Sequence, residues 1–332
     1  MAKRCNFYSE CHQFANTEIS YSKLPLCTDH FIQYLENSVW KTIQKHNLIE
    51  INSKERLLVA VSGGKDSQAL ISILSHLLHK RIPMDAVYIE LGIHPNDYSL
   101  ISQKNAKKIC DLHDIPLHIL NINEMFGFSL DDIHGLIKAE EKQSSDQETI
   151  RQECSYCGLI KRYLLNKFAV DNQYTKVATG HNLTDEAATC FHNFLNMNLP
   201  LLARTSPLLD TDNPGFVPRI KPLYNIPEQD IMLYTYFLNL PHATVECPYS
   251  QDTPTTFYRD LVNKIDDYQN GASFFFMRQF QSQLQPLLKE KTSFAETDLN
   301  LCEICKMPTL KPVCPFCRTV EQVKEDLKNL KT

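Results

Sequence analysis

The chain predicts an α/β protein built on a doubly wound parallel sheet, with a small cysteine-rich segment at each end. Three observations carry that expectation. Short apolar runs alternate with stretches of helical periodicity: 57–61, 84–91, 117–122 and 176–179 read as strands, with helices between them. The first run enters Ser62-Gly63-Gly64-Lys65-Asp66-Ser67 and then a segment, 68–78, with apolar residues at helical spacing. Cysteines gather near both ends, as Cys5, Cys11 and Cys27 with His30, and as Cys302, Cys305, Cys314 and Cys317.

Composition bounds the rest. A chain of 332 residues makes one large domain or two modest ones. Hydrophobic content of 43% and charged content of 22% are ordinary for a globular protein and argue against overall disorder. No run approaches the ~18 apolar residues of a membrane span, and the first residues hold no apolar signal core. A cytoplasmic protein with no membrane partner is expected. Its 12 cysteines then read as metal ligands or catalytic thiols before disulfides. A net charge of −5 argues against non-specific coating of nucleic acid but leaves room for a local basic groove.

The first segment pairs Cys27 and His30 within one turn, a common half-site for zinc, with Cys5 and Cys11 as the other half. Their spacing is wider than usual, and His12 is an alternative ligand. So short a segment cannot bury much core without such a staple. A helix over 31–48 links it to the sheet domain.

After the strand at 57–61, the glycine turn frees backbone N–H groups and a helix N-terminus for an anion. Ser62 and Ser67 add hydroxyls and Lys65 a cation, so a nucleotide phosphate is the natural ligand. An ordinary strand-to-helix turn is the plain alternative. Gly-Gly alone would not displace it, whereas Ser-Gly-Gly-Lys-Asp-Ser directly after a strand does. Residues 98–113 read as a helix, and the polar stretch 129–153 as a mobile surface loop or an exposed helix.

Cys154-Ser155-Tyr156-Cys157 opens a helix running to about residue 170. A redox disulfide, half a zinc site or part of an iron–sulfur cluster all fit this pair. Lys161 lies one turn beyond Cys157 on the same face, unless it and Arg162 are simply solvated. The strand at 176–179 ends in Gly180, which allows close backbone approach, and Asp185 follows near a helix start, as a cap or as a functional carboxylate. Arg219 and Lys221, in an extended segment after a loop, are candidate phosphate contacts. A helix is expected over 226–238, and Cys247-Pro248-Tyr249-Ser250 in a turn. Cys110 and Cys190 read as core. The two C-terminal Cys-x-x-Cys knuckles form a zinc ribbon-like site, closed and structural.

Ser62–Ser67 resembles the SGGxDS loop of the PP-loop ATP pyrophosphatases, which implies cleavage of ATP between its α- and β-phosphates and adenylation of a substrate oxygen. SGGKDS, CSYCGLIKRYLLN, ATGHNLTDEA, GFVPRIKPLYNIP, VECPYS and the terminal knuckles, in this order over nearly the whole chain, resemble the tRNA 2-thiolation enzymes of the TtuA/TtcA type, on the TtuA-like branch. The resemblance implies a Rossmann-like PP-loop fold. It divides the chain into a zinc-binding segment (1–35), a linker helix (36–55), a catalytic domain with an iron–sulfur site (56–270) and a C-terminal helix with a zinc ribbon-like segment (271–332).

It further implies a [4Fe–4S] cluster on Cys154, Cys157 and Cys247, whose open iron carries sulfur to C2 of a tRNA uridine after ATP activates the carbonyl oxygen. Lys161 and Asp185 match the family's catalytic lysine and aspartate, for charge on phosphate and for Mg2+ or substrate. Ala60, Ile89 and Gly180 would line the nucleotide pocket. Two departures stand out. Thr184 replaces the first of two aspartates frequent in the family, which bears on magnesium, and the Cys5–Cys11 spacing is wide. The expected partners are tRNA, with Arg162, Arg204, Arg219 and Lys221 on one face, and a sulfur donor, sulfide or a carrier protein. A homodimer stays open. The competing functions are an amide- or lysidine-forming synthetase with zinc only, and a non-catalytic tRNA-binding module.

Overall fold

The computed structural model describes residues 3–51, 54–78, 81–143, 152–250, 253–292 and 299–330. Two two-residue strands, β1 (Thr17–Glu18) and β2 (Pro25–Leu26), form an antiparallel ribbon before helix α1 (Thr28–Lys45). Then β3 (Leu57–Ala60), α2 (Lys65–Leu78), β4 (Met84–Glu90), α3 (Tyr98–Leu112) and β5 (Leu117–Asn121) alternate as the hydrophobic pattern requires. Next come α4 (Ile122–Phe126), α5 (Leu130–Gln143), α6 (Glu153–Asp171), β6 (Lys176–Ala178) and α7 (Leu183–Leu195). They are followed by α8 (Leu199–Ala203), β7 (Leu208–Leu209), β8 (Arg219–Ile220), α9 (Glu228–Phe237) and α10 (Pro254–Tyr268). The chain ends in α11 (Ala272–Gln279), a π-helical turn (Phe280–Leu284), α12 (Gln285–Lys291), the ribbon β9 (Asn300–Leu301) and β10 (Pro308–Thr309), and α13 (Pro315–Asn329).

The six-stranded sheet has the order β5-β4-β3-β6-β8-β7. All neighbours are parallel except β7, which runs antiparallel to β8 at the edge. Strand order reverses at β3: the chain builds outward through β4 and β5, then returns to lay β6 on the other side. Ligands of open α/β sheets bind at such a reversal, beyond the carboxyl ends of the strands. The Ser62–Ser67 turn leaves β3 at that point.

β3 is buried through Leu57, Leu58 and Val59, and α2 turns Leu70, Ile71, Ile73 and Leu74 inward. Burial on both faces is why the strand reads as a continuous apolar run. The same core takes in Cys5, Ile19 and Cys27 of the first segment and Phe31, Leu35, Val39 and Ile43 of α1, so the N-terminal segment is part of the sheet's own packing.

Within the stretch at 129–153, the helical alternative holds over 130–143, but the helix is not an exposed one. Residues 130–143 form α5, whose Leu130, Ile133, Leu136 and Ile137 are buried against α6 and the C-terminal segment. Charged residues between those positions masked a helical apolar face. Residues 144–151, the rest of that polar run, lie outside the described residues. No helix among the described residues is long and apolar enough to cross a membrane.

Candidate functional site: a phosphate loop, a ring of charge and three thiols

The loop after β3 is built by its own residues. Gly63 adopts φ +80°, and a Cβ there would meet the Ser102 carbonyl oxygen at 2.3 Å, so only glycine fits. Ser67 Oγ accepts the Ser62 N–H at 3.1 Å and donates to the Gly64 carbonyl at 3.0 Å. Ser67 is buried, and its hydroxyl holds the loop's shape from inside. Ser62 is exposed at the loop's crest, where its Oγ also accepts the Gly64 N–H at 3.4 Å. Gly180, after β6, backs onto Asp66 and Ser67, with room for a Cβ only 3.1 Å from their backbone. It seats the start of α2 and is not on the lining of the adjoining cleft.

That cleft runs between the loop strand, β4, α3 and α6. Ala60 and Ser62 of the loop strand, Ile89 of β4, Tyr98 of α3 and Lys161 and Leu165 of α6 line it. Its apolar wall suits a flat ring, and its mouth opens on the loop.

Charge gathers on the loop's other side. Lys65 Nζ bonds Asp66 at 3.2 Å and Glu228 at 2.5 Å. Arg259, from α10, reaches the same Glu228 oxygen at 2.6 Å and Asp185 at 3.5 Å. Asn182 closes a capping box with Asp185 at the start of α7 and donates to Asp66 at 3.1 Å. Burial pushes the Asp185 carboxyl up to about 6, against the pull of Arg259 and with the repulsion of Asp66. Glu228 is held below its usual range because Lys65 and Arg259 outweigh its burial. Thr184, buried, accepts the Glu228 backbone N–H at 3.2 Å and so caps α9. An aspartate at 184 would stand as a further buried carboxylate among these three.

On the loop's near side stand the thiols. Cys154 and Cys157 occupy the first turns of α6, and Cys247 lies in the turn before α10. Ser250 pins that turn by donating its Oγ to the Cys247 carbonyl at 2.8 Å, and the Ala243 N–H donates to the Gly63 carbonyl at 2.8 Å. The segment leading to Cys247 is thereby tied to the phosphate loop. Cys154 Sγ donates to the Tyr249 carbonyl at 3.3 Å. Burial raises the Cys154 and Cys247 thiols, and each is raised further by Cys157. The Lys161 ammonium is raised in turn, first by Cys157 and against its own desolvation, then by Tyr98 and Cys247. Three thiols and one cation therefore share one field. Cys154 is exposed and the other two are half-buried, so the group faces the open mouth.

Two tighter groups lie at the ends. Among the described residues, the ligand atoms of Cys5, Cys11, Cys27 and His30, and those of Cys302, Cys305, Cys314 and Cys317, fall within 4.8 Å of one another. His12 is outside the first group. His30 Nδ1 lies 3.3 Å from Cys5 Sγ and 3.2 Å from Cys27 Sγ. Cys305 and Cys314 sulfurs are 3.7 Å apart. A tetrahedral zinc with Zn–S of about 2.3 Å holds its sulfurs about 3.8 Å apart. The Cys302 thiol falls to about 6 because backbone N–H groups of Cys305, Cys314 and Ile304 outweigh its burial. The Cys154, Cys157 and Cys247 trio is not drawn in to that single-ion spacing.

Among the basic residues, Arg219 is half-buried, its pKa lowered by burial and by Arg162 nearby. Lys221 is committed to the buried Glu186 at 2.7 Å. Arg204 ends α8. Arg259 and the role of Glu228 escaped sequence reading. Thr253-Pro254 with Thr256 is a helix-start signal that locates α10, but nothing local brings Arg259 to Asp185.

A glycine turn at the reversal point of a parallel sheet, an apolar cleft beside it and a charged ring around the helix start define a nucleotide-handling α/β protein. The PP-loop domain family matches residues 35–246. A tRNA-5-methyluridine(54) 2-sulfurtransferase of Pyrococcus horikoshii is 36% identical over 95% of this chain and 93% of its own. One of the same name from Thermus thermophilus is 33% identical over 97% and 93%. In fold, the chain is similar to the U34-tRNA thiolase NcsA of Methanococcus maripaludis, with a TM-score of 0.73, 24% identity and 95% of each chain covered. The chain belongs to the PP-loop family, among the tRNA thiolases of the TtuA/TtcA type.

Proposed function

We propose that the chain is an ATP-dependent tRNA-uridine 2-sulfurtransferase. The observation that carries this reading is the meeting of Cys154, Cys157, Cys247 and Lys161 beside a nucleotide cleft and its phosphate loop. Likeness over nearly the full length to relatives named for that activity supports it. The solved relative NcsA is described with a [4Fe–4S] cluster.

In this reading the adenine rests against Ala60 and Ile89, and the phosphates lie over the N–H groups of the loop. The C2 oxygen of the target uridine attacks the α-phosphorus, the bond to the β-phosphate breaks, and pyrophosphate leaves. Lys161, already on the cleft wall, offsets charge on the attacked phosphate. The loop's surroundings hold three carboxylates, Asp66, Asp185 and Glu228, against two cations, Lys65 and Arg259. A triphosphate enters that ring only with a counter-cation, and Mg2+ on Asp185 and Asp66 supplies it. A [4Fe–4S] cluster on Cys154, Cys157 and Cys247 would leave one iron without a protein ligand, as the position for the transferred sulfur. Sulfur reaches C2, and AMP leaves with the former carbonyl oxygen.

Zinc at each terminal group serves as structure. Sulfur comes from sulfide or a carrier protein, and the reducing cytoplasm suits twelve free cysteines. tRNA approaches over Arg162 and Arg219.

The test is anaerobic purification with iron and sulfide analysis, on wild type and Cys247→Ala, beside nucleoside mass spectrometry of tRNA treated with ATP and sulfide. About four irons per chain beyond zinc, lost in the variant together with 2-thiouridine formation, supports the reading. Zinc alone in both proteins and no thiolated nucleoside overturns it.

A further inference from the structure

Arg259 has no counterpart in the sheet framework that forms the phosphate loop. It is carried by α10, which packs along α7, and α10 starts just after the Cys247 turn. Its guanidinium nevertheless reaches into the charged ring, and one oxygen of Glu228 serves both Lys65 Nζ at 2.5 Å and Arg259 Nη2 at 2.6 Å. Its Nε stands 3.5 Å from Asp185, a longer contact. A guanidinium prefers a two-pronged grip on a carboxylate or phosphate. Here its fork is split between two carboxylates, neither held by both prongs. The Glu228 carboxylate therefore occupies, beside the N-terminus of α2, a place where one anionic oxygen collects two cations. That is the arrangement a phosphate oxygen would receive.

We infer that Arg259 is a further ligand of the nucleotide's β- and γ-phosphates, held on Glu228 and Asp185 until ATP arrives and then transferred to the phosphates. The inference rests on the nucleotide reading of the site. It adds that Glu228 is a placeholder anion and that α10, attached to the Cys247 turn, responds to the phosphate end of ATP. The released pyrophosphate leaves from the same pair of cations, and Glu228 takes them back.

The exchange predicts a split that a merely structural arginine would not give. ATP and pyrophosphate carry β-phosphate; AMP does not. Binding of each, with Mg2+, is measured by titration calorimetry on the full chain as wild type, Arg259→Gln, Arg259→Lys and Glu228→Gln, with thermal melts as a folding control. Expected for Arg259→Gln is a loss of about 10- to 100-fold for ATP and pyrophosphate, the worth of one charge-assisted hydrogen-bonded contact, with AMP unchanged. Arg259→Lys recovers part of the loss, and Glu228→Gln binds pyrophosphate more tightly than wild type. Arg259→Gln binding ATP as wild type does, or losing AMP in step with ATP, overturns the inference and leaves the nucleotide reading standing. Wild type that binds neither ATP nor AMP overturns both.

Discussion

Gly63 is the residue whose replacement has the most certain physical consequence. With φ at +80° and the Ser102 carbonyl in the place of a Cβ, alanine must strain the backbone and push α3 away. Gly63→Ala is expected to lose about 2–4 kcal/mol of stability and to bind ATP weakly, as read by urea denaturation and nucleotide titration; a variant as stable as wild type would contradict the loop geometry. Asp230 offers a pH test away from the site. Its buried carboxylate accepts the Ser20 N–H at 3.1 Å, and burial pushes it up to about 6 against that bond. The folded chain thus holds this proton more tightly than the unfolded chain, whose carboxyl titrates near 3.8. The stability it contributes is full below that value and is lost as pH rises through about 6. Asp230→Asn keeps an acceptor oxygen and should gain on wild type by about 1–3 kcal/mol between pH 4 and pH 7. Parallel stability–pH curves for the two proteins would count against a raised Asp230.

At the scale of elements, α6 does the most. Its N-terminal turns bear Cys154 and Cys157, and its middle bears Lys161. Asn166 then clamps the 215–217 loop, donating to the Gly215 carbonyl and accepting the Val217 N–H at 2.9 Å each. The C-terminal knuckle presses on the same helix: Phe316 stacks on Tyr163 with centroids 3.6 Å apart and meets Phe126 edge-on at 5.2 Å. Buried aromatic pairs of this kind contribute about 0.5–1.5 kcal/mol beyond their area. Breaking the group of four C-terminal cysteines, by Cys302→Ser, should therefore loosen α6 as well as α13. Hydrogen exchange is expected to quicken over 315–329 and 153–171 while α1 stays protected. Quickening confined to α13 would show that the knuckle does not brace the thiol-bearing helix.

For the whole molecule, the net charge of −5 leaves tRNA binding to local cations. Arg162 is exposed and close enough to Arg219 to lower its pKa, whereas Lys221 is already paired with Glu186. Arg162→Ala should weaken tRNA binding and flatten its dependence on log salt by about one unit. Lys221→Ala should leave that slope unchanged. Equal slopes for wild type and both variants would place the tRNA on another face. Among the described residues, four cores make up the frame. One joins the first segment to the sheet, one holds α5, α6 and the C-terminal knuckle together, one packs α7 against α8, α10 and α11, and one sets Ala169 of α6 against Leu58, Val87 and Val177 of the sheet.

Much of this was legible in the chain. Buried strands are locally apolar, a glycine turn must be written in glycines, and each terminal ligand group is short in sequence, so the sheet, the loop at 62–67 and both four-residue groups were found from spacing. The burial of the helix at 130–143 was not, because its buried positions are diluted by charges. Arg259 was not, because its meaning depends on two residues 31 and 74 positions away along the chain. Sequence by itself determined which residue types are present for phosphate, metal and sulfur chemistry, since those depend on side-chain chemistry and short-range spacing. Only the tertiary structure decided which of them meet. The reversal of strand order at β3 sets Gly180 and Asp185 beside the loop, and the packing of α10 on α7 delivers Arg259 to Glu228. Long-range packing, which no local pattern encodes, made the site.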